Sequence, residues 1–427
     1  MNPINSTAFE FFPLPSRVAP PQRSLTLIVK GTFDLMDGDA CIPAKKQREI
    51  TGDRPHLDDI GRSLAWASDL VPFKPHTDVV IHGAFHQPDG VAAPEGRGSF
   101  TLGPLHKELA FFGPRRALRQ PGGGYVFTAP EPMLSVPLRW EYSFGGLRDR
   151  RNPMGLGVDP LPDDPAVIPL PQIEDPAWPV RSVKDRPAPA NFAPVPPGFE
   201  ERRRKLGTRD QRWAVFRAPL PPKDYDPSHH NAAPGDQQAG NYPRGNETLV
   251  LRHLHPTVPV LTTKLPGLRI RVGVLRRTIL GRVVAEEVPM NLDTVTVLPD
   301  DGQLVLLWRG VTDLHMKFMP DEILALYCES EAVDAPPAVP DLPTRILAEY
   351  QAGEDKKAAT KQADLDKALA EIRKLLPQAN LPPELLKVLE AETNPQVIYD
   401  LLDRHVTAIL DDLLKQYPQA AAGPGGA

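Results

Sequence analysis

In Ser24-Leu25-Thr26-Leu27-Ile28-Val29-Lys30-Gly31-Thr32-Phe33-Asp34-Leu35, apolar and polar residues alternate, and only Ile28 breaks the polar set. A period of two over that length predicts a β-strand with one buried face, because successive side chains of a strand point to opposite sides. Residues 77–85 repeat the pattern, with Val79, Ile81, Gly83 and Phe85 on the apolar face. Shorter strand-like pieces follow at 98–102, 108–112, 125–127, 135–142, 248–253, 269–275, 294–298 and 303–307. Pro299-Asp300-Asp301-Gly302 has the turn chemistry of a hairpin connection between the last two. Gly122-Gly123-Gly124 lacks a following helical pattern and a Lys-Ser/Thr pair, so it reads as a loop and not as a phosphate cradle.

The chain has 52 prolines among 427 residues, concentrated before residue 270. Proline lacks a backbone donor and fixes φ, so it interrupts helices and central strands. Interleaved with Trp, Tyr, Phe and Val, these prolines predict short strands joined by long structured loops. The longest loop-like region is 152–238, with buried-looking aromatics at Trp178, Phe192, Phe199, Trp213 and Phe216. A proline-rich linker at 331–340 ends the β-rich part, 1–330. The period then becomes helical: Leu365, Leu369, Ile372 and Leu376 form one stripe, which Pro377 ends. Pro382-Pro383 opens a second helix. Asn394 caps a third, carrying Ile398, Leu402, Ile409 and Leu413. The expected architecture is therefore α+β: a mainly antiparallel β domain, either a sandwich or a distorted barrel, with a helical domain at 341–418 and a disordered tail at 419–427.

Composition narrows the function. A 41% hydrophobic and 24% charged chain has ample material for a core, and a net charge of −5 gives no reason to expect nucleic acid as a partner. The densest basic run, Glu201-Arg202-Arg203-Arg204-Lys205, reads as a solvated face. Cys41 and Cys328 are too far apart in sequence for a disulfide framework or a metal knuckle, which fits a reducing compartment. No signal peptide or apolar membrane span is visible, so a cytoplasmic location without membrane insertion is expected.

Motifs for chemistry are sparse. His82 and His86, four apart on a strand, would be about 13 Å from each other, too far to share one metal ion. His229-His230, near Asp224 and Asp226, reads better as a loop tied by its own side chains than as a ligand set. No nucleophile elbow, zinc-protease helix, phosphate loop or dinucleotide fingerprint is present. No catalytic residue, metal or cofactor is assigned.

Seven segments, taken in order, resemble the type VI secretion accessory family known as domain of unknown function 2169. They are Lys30-Gly31-Thr32-Phe33-Asp34, the run from Pro72-Phe73-Lys74-Pro75 to Ile81-His82-Gly83, and Arg139-Trp140-Glu141-Tyr142-Ser143-Phe144-Gly145-Gly146. Next come Asn152-Pro153-Met154-Gly155-Leu156-Gly157 and Leu170-Pro171-Gln172-Ile173-Glu174-Asp175-Pro176. Asn231-Ala232-Ala233-Pro234-Gly235-Asp236-Gln237 and Arg244-Gly245-Asn246-Glu247 complete the set, which spans about residues 20–315. Phe199 and Arg209 depart from the Trp and Tyr usual at those places.

The resemblance implies an adaptor or chaperone that binds a secreted effector and helps load it onto spike proteins of the valine-glycine repeat (VgrG) and proline-alanine-alanine-arginine repeat (PAAR) types, without catalysis. The residues expected to bind are Trp140, Tyr142, Asp175, Trp178, Trp213, His230, Asn231 and Asp236. Two other readings stay open: a hydrolase with its site in 170–240 around Asp175, Asp226 and His230, and a structural part of the secretion particle.

Overall fold

The computed structural model describes residues 3–17, 22–157, 166–315, 322–378 and 381–416. The chain divides into two compact units, Met1–Ile346 and Leu347–Ala427. The expected tail at 419–427 lies outside the described residues.

The larger unit is built around the strand Arg23–Asp34. It pairs antiparallel with Glu10–Ser16 on one side and with Gln303–Leu314 on the other. The sheet continues through Asn291–Leu298 and Thr77–Ile81 to Gln238–Ala239, and Thr77–Ile81 runs parallel to Asn291–Leu298. The 299–302 turn closes the expected hairpin, with Leu298 paired to Gln303 and Gly302 at φ 64°. A second, antiparallel sheet contains Ile173–Glu174, Leu105–Phe112, Glu95–Leu102, Thr248–Arg252 and Val260–Lys264. A third contains Ile4–Asn5, Ile323–Ala332, Leu268–Arg277 and Val283–Val288.

These three larger sheets bury side chains in one apolar core. Leu27, Val29 and Phe33 come from the first, Phe100, Phe111 and Leu251 from the second, and Val272, Val274 and Leu326 from the third. The sheets are open, mixed and antiparallel, so the barrel alternative is set aside.

Three sequence expectations change. The strand Arg23–Asp34 is buried on both faces, not one. Residues 44–72 cover its polar face: Lys30 Nζ donates to Asp69 and to Glu49 O, each at 2.7 Å, and Thr26 Oγ1 donates to Pro72 O at 2.8 Å. Second, the strand expected over 77–85 stops at Ile81. Gly83 turns with φ 97°, and Ala84–His86 pairs instead with Ser135–Pro137. His82 and His86 therefore do not share one strand. Third, the 152–238 aromatics split: Phe192 and Phe199 are fully buried, whereas Trp178 is 71% and Phe216 82% exposed.

The helix Leu342–Leu375 begins well before the stripe that revealed it. Its first turn belongs to the larger unit. Leu342 and Ile346 are buried there, and Ile346 Cδ1 lies 2.1 Å from where a Cβ on Gly273 would stand, so only glycine fits beneath it.

In the smaller unit, the end of that helix, Pro383–Ala391 and Pro395–Gln416 enclose Leu376, Leu389 and Ile398, with Leu369, Ile372, Leu385 and Leu402 around them. Asn394 caps as expected, accepting Gln396 N–H at 3.0 Å. Ile409 is exposed, and the Leu413 side chain lies outside the described residues.

Candidate functional site

The loop-rich middle is held in place by buried polar groups, and most of the segments singled out in the sequence supply them. Asp78, fully buried, accepts from Lys74 Nζ at 2.7 Å, Asn231 Nδ2 at 2.9 Å, Ala232 N at 2.8 Å and Ala233 N at 3.2 Å. Lys107 Nζ donates to Asp236 at 2.8 Å, Gln237 at 2.8 Å and Asn191 O at 2.9 Å. Asn152 Nδ2 donates to Trp140 O at 2.8 Å and Phe144 O at 3.0 Å, which leaves no room for a Cβ on Gly145 or Gly155. Each such group would be costly to bury alone; Asp78, Lys107 and Asn152 all find partners, while Asn231 Oδ1 is buried without one among the described residues.

These contacts locate the residues expected to bind. Asn231 and Asp236 tie the 231–237 loop to the central sheet and to the Leu105–Phe112 strand. Trp140 is buried beside Phe199, with its indole N–H on Pro194 O at 2.8 Å. Tyr142 packs on the main core, and its carbonyl accepts Gln172 N–H at 2.8 Å. Asp175 closes a turn by accepting Ala177 N–H at 2.8 Å, and Trp178 beyond it projects into solvent. In the basic run, Arg202 turns inward and donates to Val195 O at 2.7 Å and His229 O at 3.0 Å, so only part of that run is a solvated face.

Trp213 and His230 lie along neighbouring hollows. Asp210 caps the short helix Gln211–Phe216 by accepting Trp213 N–H at 2.8 Å. Trp213 Nε1 donates to Leu220 O at 2.8 Å, and the Arg209 guanidinium lies 5.5 Å from the ring centre. Asp224 accepts both Thr208 N–H and Thr208 O–H, which closes the segment on itself. The resulting cavity, about 570 Å³, is lined by Trp213, Phe216, Arg212, Arg217 and Lys223, together with Thr208, Asp210, Pro222 and Asp224. Val215 and Phe216, on the same helix, are exposed at 67% and 82%. The cations Arg209, Arg212, Arg217 and Lys223 outnumber Asp210 and Asp224, whose oxygens already accept local hydrogen bonds.

A second hollow, about 290 Å³, is lined by Phe73, Leu206, Arg209, Tyr225, His229 and His230 among others. His230 Nε2 meets Tyr225 O–H at 2.7 Å, and His229 Nδ1 meets Arg202 O at 2.9 Å. Burial first, and then the positive charges of nearby residues including Arg202, push the His230 pKa down to about 4, so its imidazole is neutral near pH 7.

Asp226 does not face His230 as a base partner. Its carboxylate accepts Ser228 N–H at 2.8 Å. Asp175 serves its own turn, and no hydrogen bond joins it to either residue among those described. No group of three His, Cys, Asp or Glu side chains among the described residues is arranged to hold a metal ion. The 206–224 segment offers an apolar, aromatic surface with a cationic rim.

The exposed helix Gln211–Phe216 departs from the loop with inward aromatics expected over 152–238. The signal was present: Asp210 at a capping position, then Trp213 and Phe216 three apart.

No curated protein and no solved structure matches the chain. The match that exists is to the bacterial family described as "Uncharacterized protein conserved in bacteria (DUF2169)", over residues 21–309. That range takes in every latch described above, from Lys30 to Gln237, and all three sheets in part. It covers well over half of the 427 residues, and the chain belongs to this family.

Proposed function

We propose that the protein is a non-catalytic adaptor that works in the cytoplasm, binding a secreted effector and helping to load it onto the spike of a type VI secretion system. Support comes from the ordered motifs and their resemblance to secretion accessory proteins. One structural observation carries the reading: a short helix, capped by Asp210 and tied through the Trp213 indole to Leu220 O, presents Val215 and Phe216 to solvent beside an open groove of about 570 Å³ rimmed by arginines and lysine. Exposed aromatics next to arginine, on a scaffold fixed elsewhere, have the composition of protein-binding hot spots. The groove suits a partner segment with an apolar anchor and acidic flanks.

The test is co-purification of the full chain with the effector and spike proteins encoded beside it, repeated with Phe216→Ser and with the helical unit removed. The deletion must begin at residue 347, because Leu342 and Ile346 belong to the core of the larger unit. The adaptor reading expects a stoichiometric complex that Phe216→Ser weakens and the deletion leaves in place. Absence of any complex at low and moderate salt would overturn it.

A further inference from the structure

The polar face of the central strand Arg23–Asp34 lies under residues 44–72, and a second large cavity opens there, about 560 Å³. At its floor is a closed ion pair. Lys30, 1% exposed, donates to Asp69 and to Glu49 O, and its ammonium lies 4.3 Å from the centre of the Trp66 ring. Asp69 is saturated in turn, accepting Thr51 N–H at 2.9 Å and Trp66 Nε1–H at 3.1 Å as well as Lys30. This pair adds no net charge to the cleft.

The walls are different. Lys46, Arg48 and Arg54 line the cavity, and Glu49 is the one carboxylate among the lining residues. Arg48 donates Nε to Gln303 at 2.8 Å and Nη2 to Asp301 at 2.7 Å, while its Nη1 has no partner among the described residues. Arg54 is held through Nε to Thr51 Oγ1 at 2.9 Å, with its two terminal nitrogens unpartnered among the described residues. Asp53, beside Arg54, accepts Ser68 N–H at 2.7 Å. Burial lowers the Lys30 pKa, and the Arg48 and Arg54 charges push the same way against Asp69, so these three cations share one electrostatic neighbourhood.

Asp301 offsets Arg48 and Glu49 offsets one further cation, so the walls keep a modest excess of positive charge, from Lys46, Arg48 and Arg54, in a ligand-sized cleft that attracts an anion. Both guanidinium groups are anchored through Nε; Asp301 holds Arg48 Nη2, so Arg48 Nη1 and both terminal nitrogens of Arg54 are left to donate to phosphate oxygens. The Trp66 ring is already engaged by the Lys30 ammonium and by His82, stacked at 5.7 Å and 8°.

From this geometry we infer that the cleft binds a pyrophosphate group, held by Arg48, Arg54 and Lys46 with Thr51 and Gln303 at its edge. Recognition is of the anion, so inorganic pyrophosphate and the diphosphate of a nucleotide bind alike. The inference stands apart from the adaptor reading and uses none of its residues.

Calorimetric titration of the full chain with inorganic pyrophosphate, at fixed ionic strength, tests it. The expected result is saturable binding, weakened at least tenfold in Arg48→Gln/Arg54→Gln, with adenosine diphosphate within a few-fold of pyrophosphate and citrate unable to compete. Arg54→Gln alone, at an exposed side chain bonded only to Thr51, keeps the test decisive if the double variant folds poorly; a several-fold loss is expected there. No saturable heat, unchanged affinity in both variants, equal competition by citrate, or much tighter binding of the nucleotide would each overturn the assignment.

Discussion

Replacing Asp78 by alanine removes the acceptor on which the central sheet and the 231–237 loop converge. Lys74 Nζ would keep only Thr294 Oγ1, at 2.8 Å, and Asn231 Nδ2 would keep His76 O, at 2.7 Å. The Ala232 and Ala233 N–H groups would lose the acceptor they share. Removing one partner of a buried ion pair costs about 3–5 kcal/mol, because the other charge stays buried and unpaired. Each orphaned buried N–H adds about 1–3 kcal/mol, less whatever entering water restores. The expected loss is therefore about 5 kcal/mol, a large share of the total stability of a folded domain.

The assay is urea unfolding followed by tryptophan fluorescence. All five tryptophans, at 66, 140, 178, 213 and 308, lie in Met1–Ile346, so the signal reports the larger unit alone. A companion variant, Lys74→Met/Asp78→Asn, removes both charges and should be less destabilised than Asp78→Ala. A loss below about 1 kcal/mol for Asp78→Ala, or a double variant worse than the single, would refute the assignment of this pair as a latch.

Other consequences follow from single residues. Gly113→Ala would drive a Cβ to 1.7 Å from Glu131 O, a backbone atom that cannot turn aside, and should cost at least about 1–3 kcal/mol in the same unfolding assay. Leu389→Ala, at a fully buried position of the helical unit, should remove about 2–5 kcal/mol from that unit, lowering helical circular dichroism on heating while the fluorescence transition stays in place. Phe216→Ser should change stability by no more than about 0.5 kcal/mol, since the ring is largely in solvent, yet weaken partner binding.

For pH, burial and nearby positive charge hold the His230 pKa at about 4 in the folded chain, so the unfolded chain binds the extra proton first as pH falls. The associated stability is complete above the unfolded value of about 6.5 and is lost toward pH 4, at up to about 1.4 kcal/mol per pH unit. His230→Gln should flatten that slope. Asp78 acts at lower pH. Burial opposes its charge, but Lys74 and the hydrogen bonds from Ala232 N–H and Asn231 together hold its pKa below the usual carboxylate value. Its contribution is present above about pH 4 and lost as pH falls through the lowered value.

Much of the β architecture was legible because strand periodicity is local. Residues 24–35, 294–298 and 303–307 were read as strands, and the turn at 299–302 joined the last two as expected. What the pattern could not convey was coverage. Lys30 and Thr32 read as solvent-facing until Asp69, 39 residues from Lys30, and Gln47 are brought over them. Ile28, the one residue that broke the alternation, was the clue, since it packs with Val305 and Leu307 on that covered face.

The break at His82-Gly83 was hidden for a related reason: a glycine continues an apolar alternation on paper, while a positive φ ends the strand. The strands at 10–16, interrupted by prolines, and at 283–288 and 323–332, each with adjacent or near-adjacent glutamates, do not show a clean alternation, and 260–264 is only five residues long. In the candidate site, the turn roles of Asp175 and Asp226 follow from local residue chemistry, whereas the Asn231 side chain bonds His76 O and Asp78, far away in sequence. The exposure of Phe216 does not follow from local chemistry either, because facing solvent or core depends on where a long loop is anchored.

The proposed function requires a partner protein to dock on the groove around Trp213 and Phe216. Hydrogen–deuterium exchange on the full chain, free and in complex with the effector or spike protein that co-purifies with it, tests this most directly. New protection is expected to concentrate in residues 206–230, with the buried strands unchanged. Protection confined to the helices of residues 347–416, or spread over the second and third sheets with none at 206–230, would contradict it.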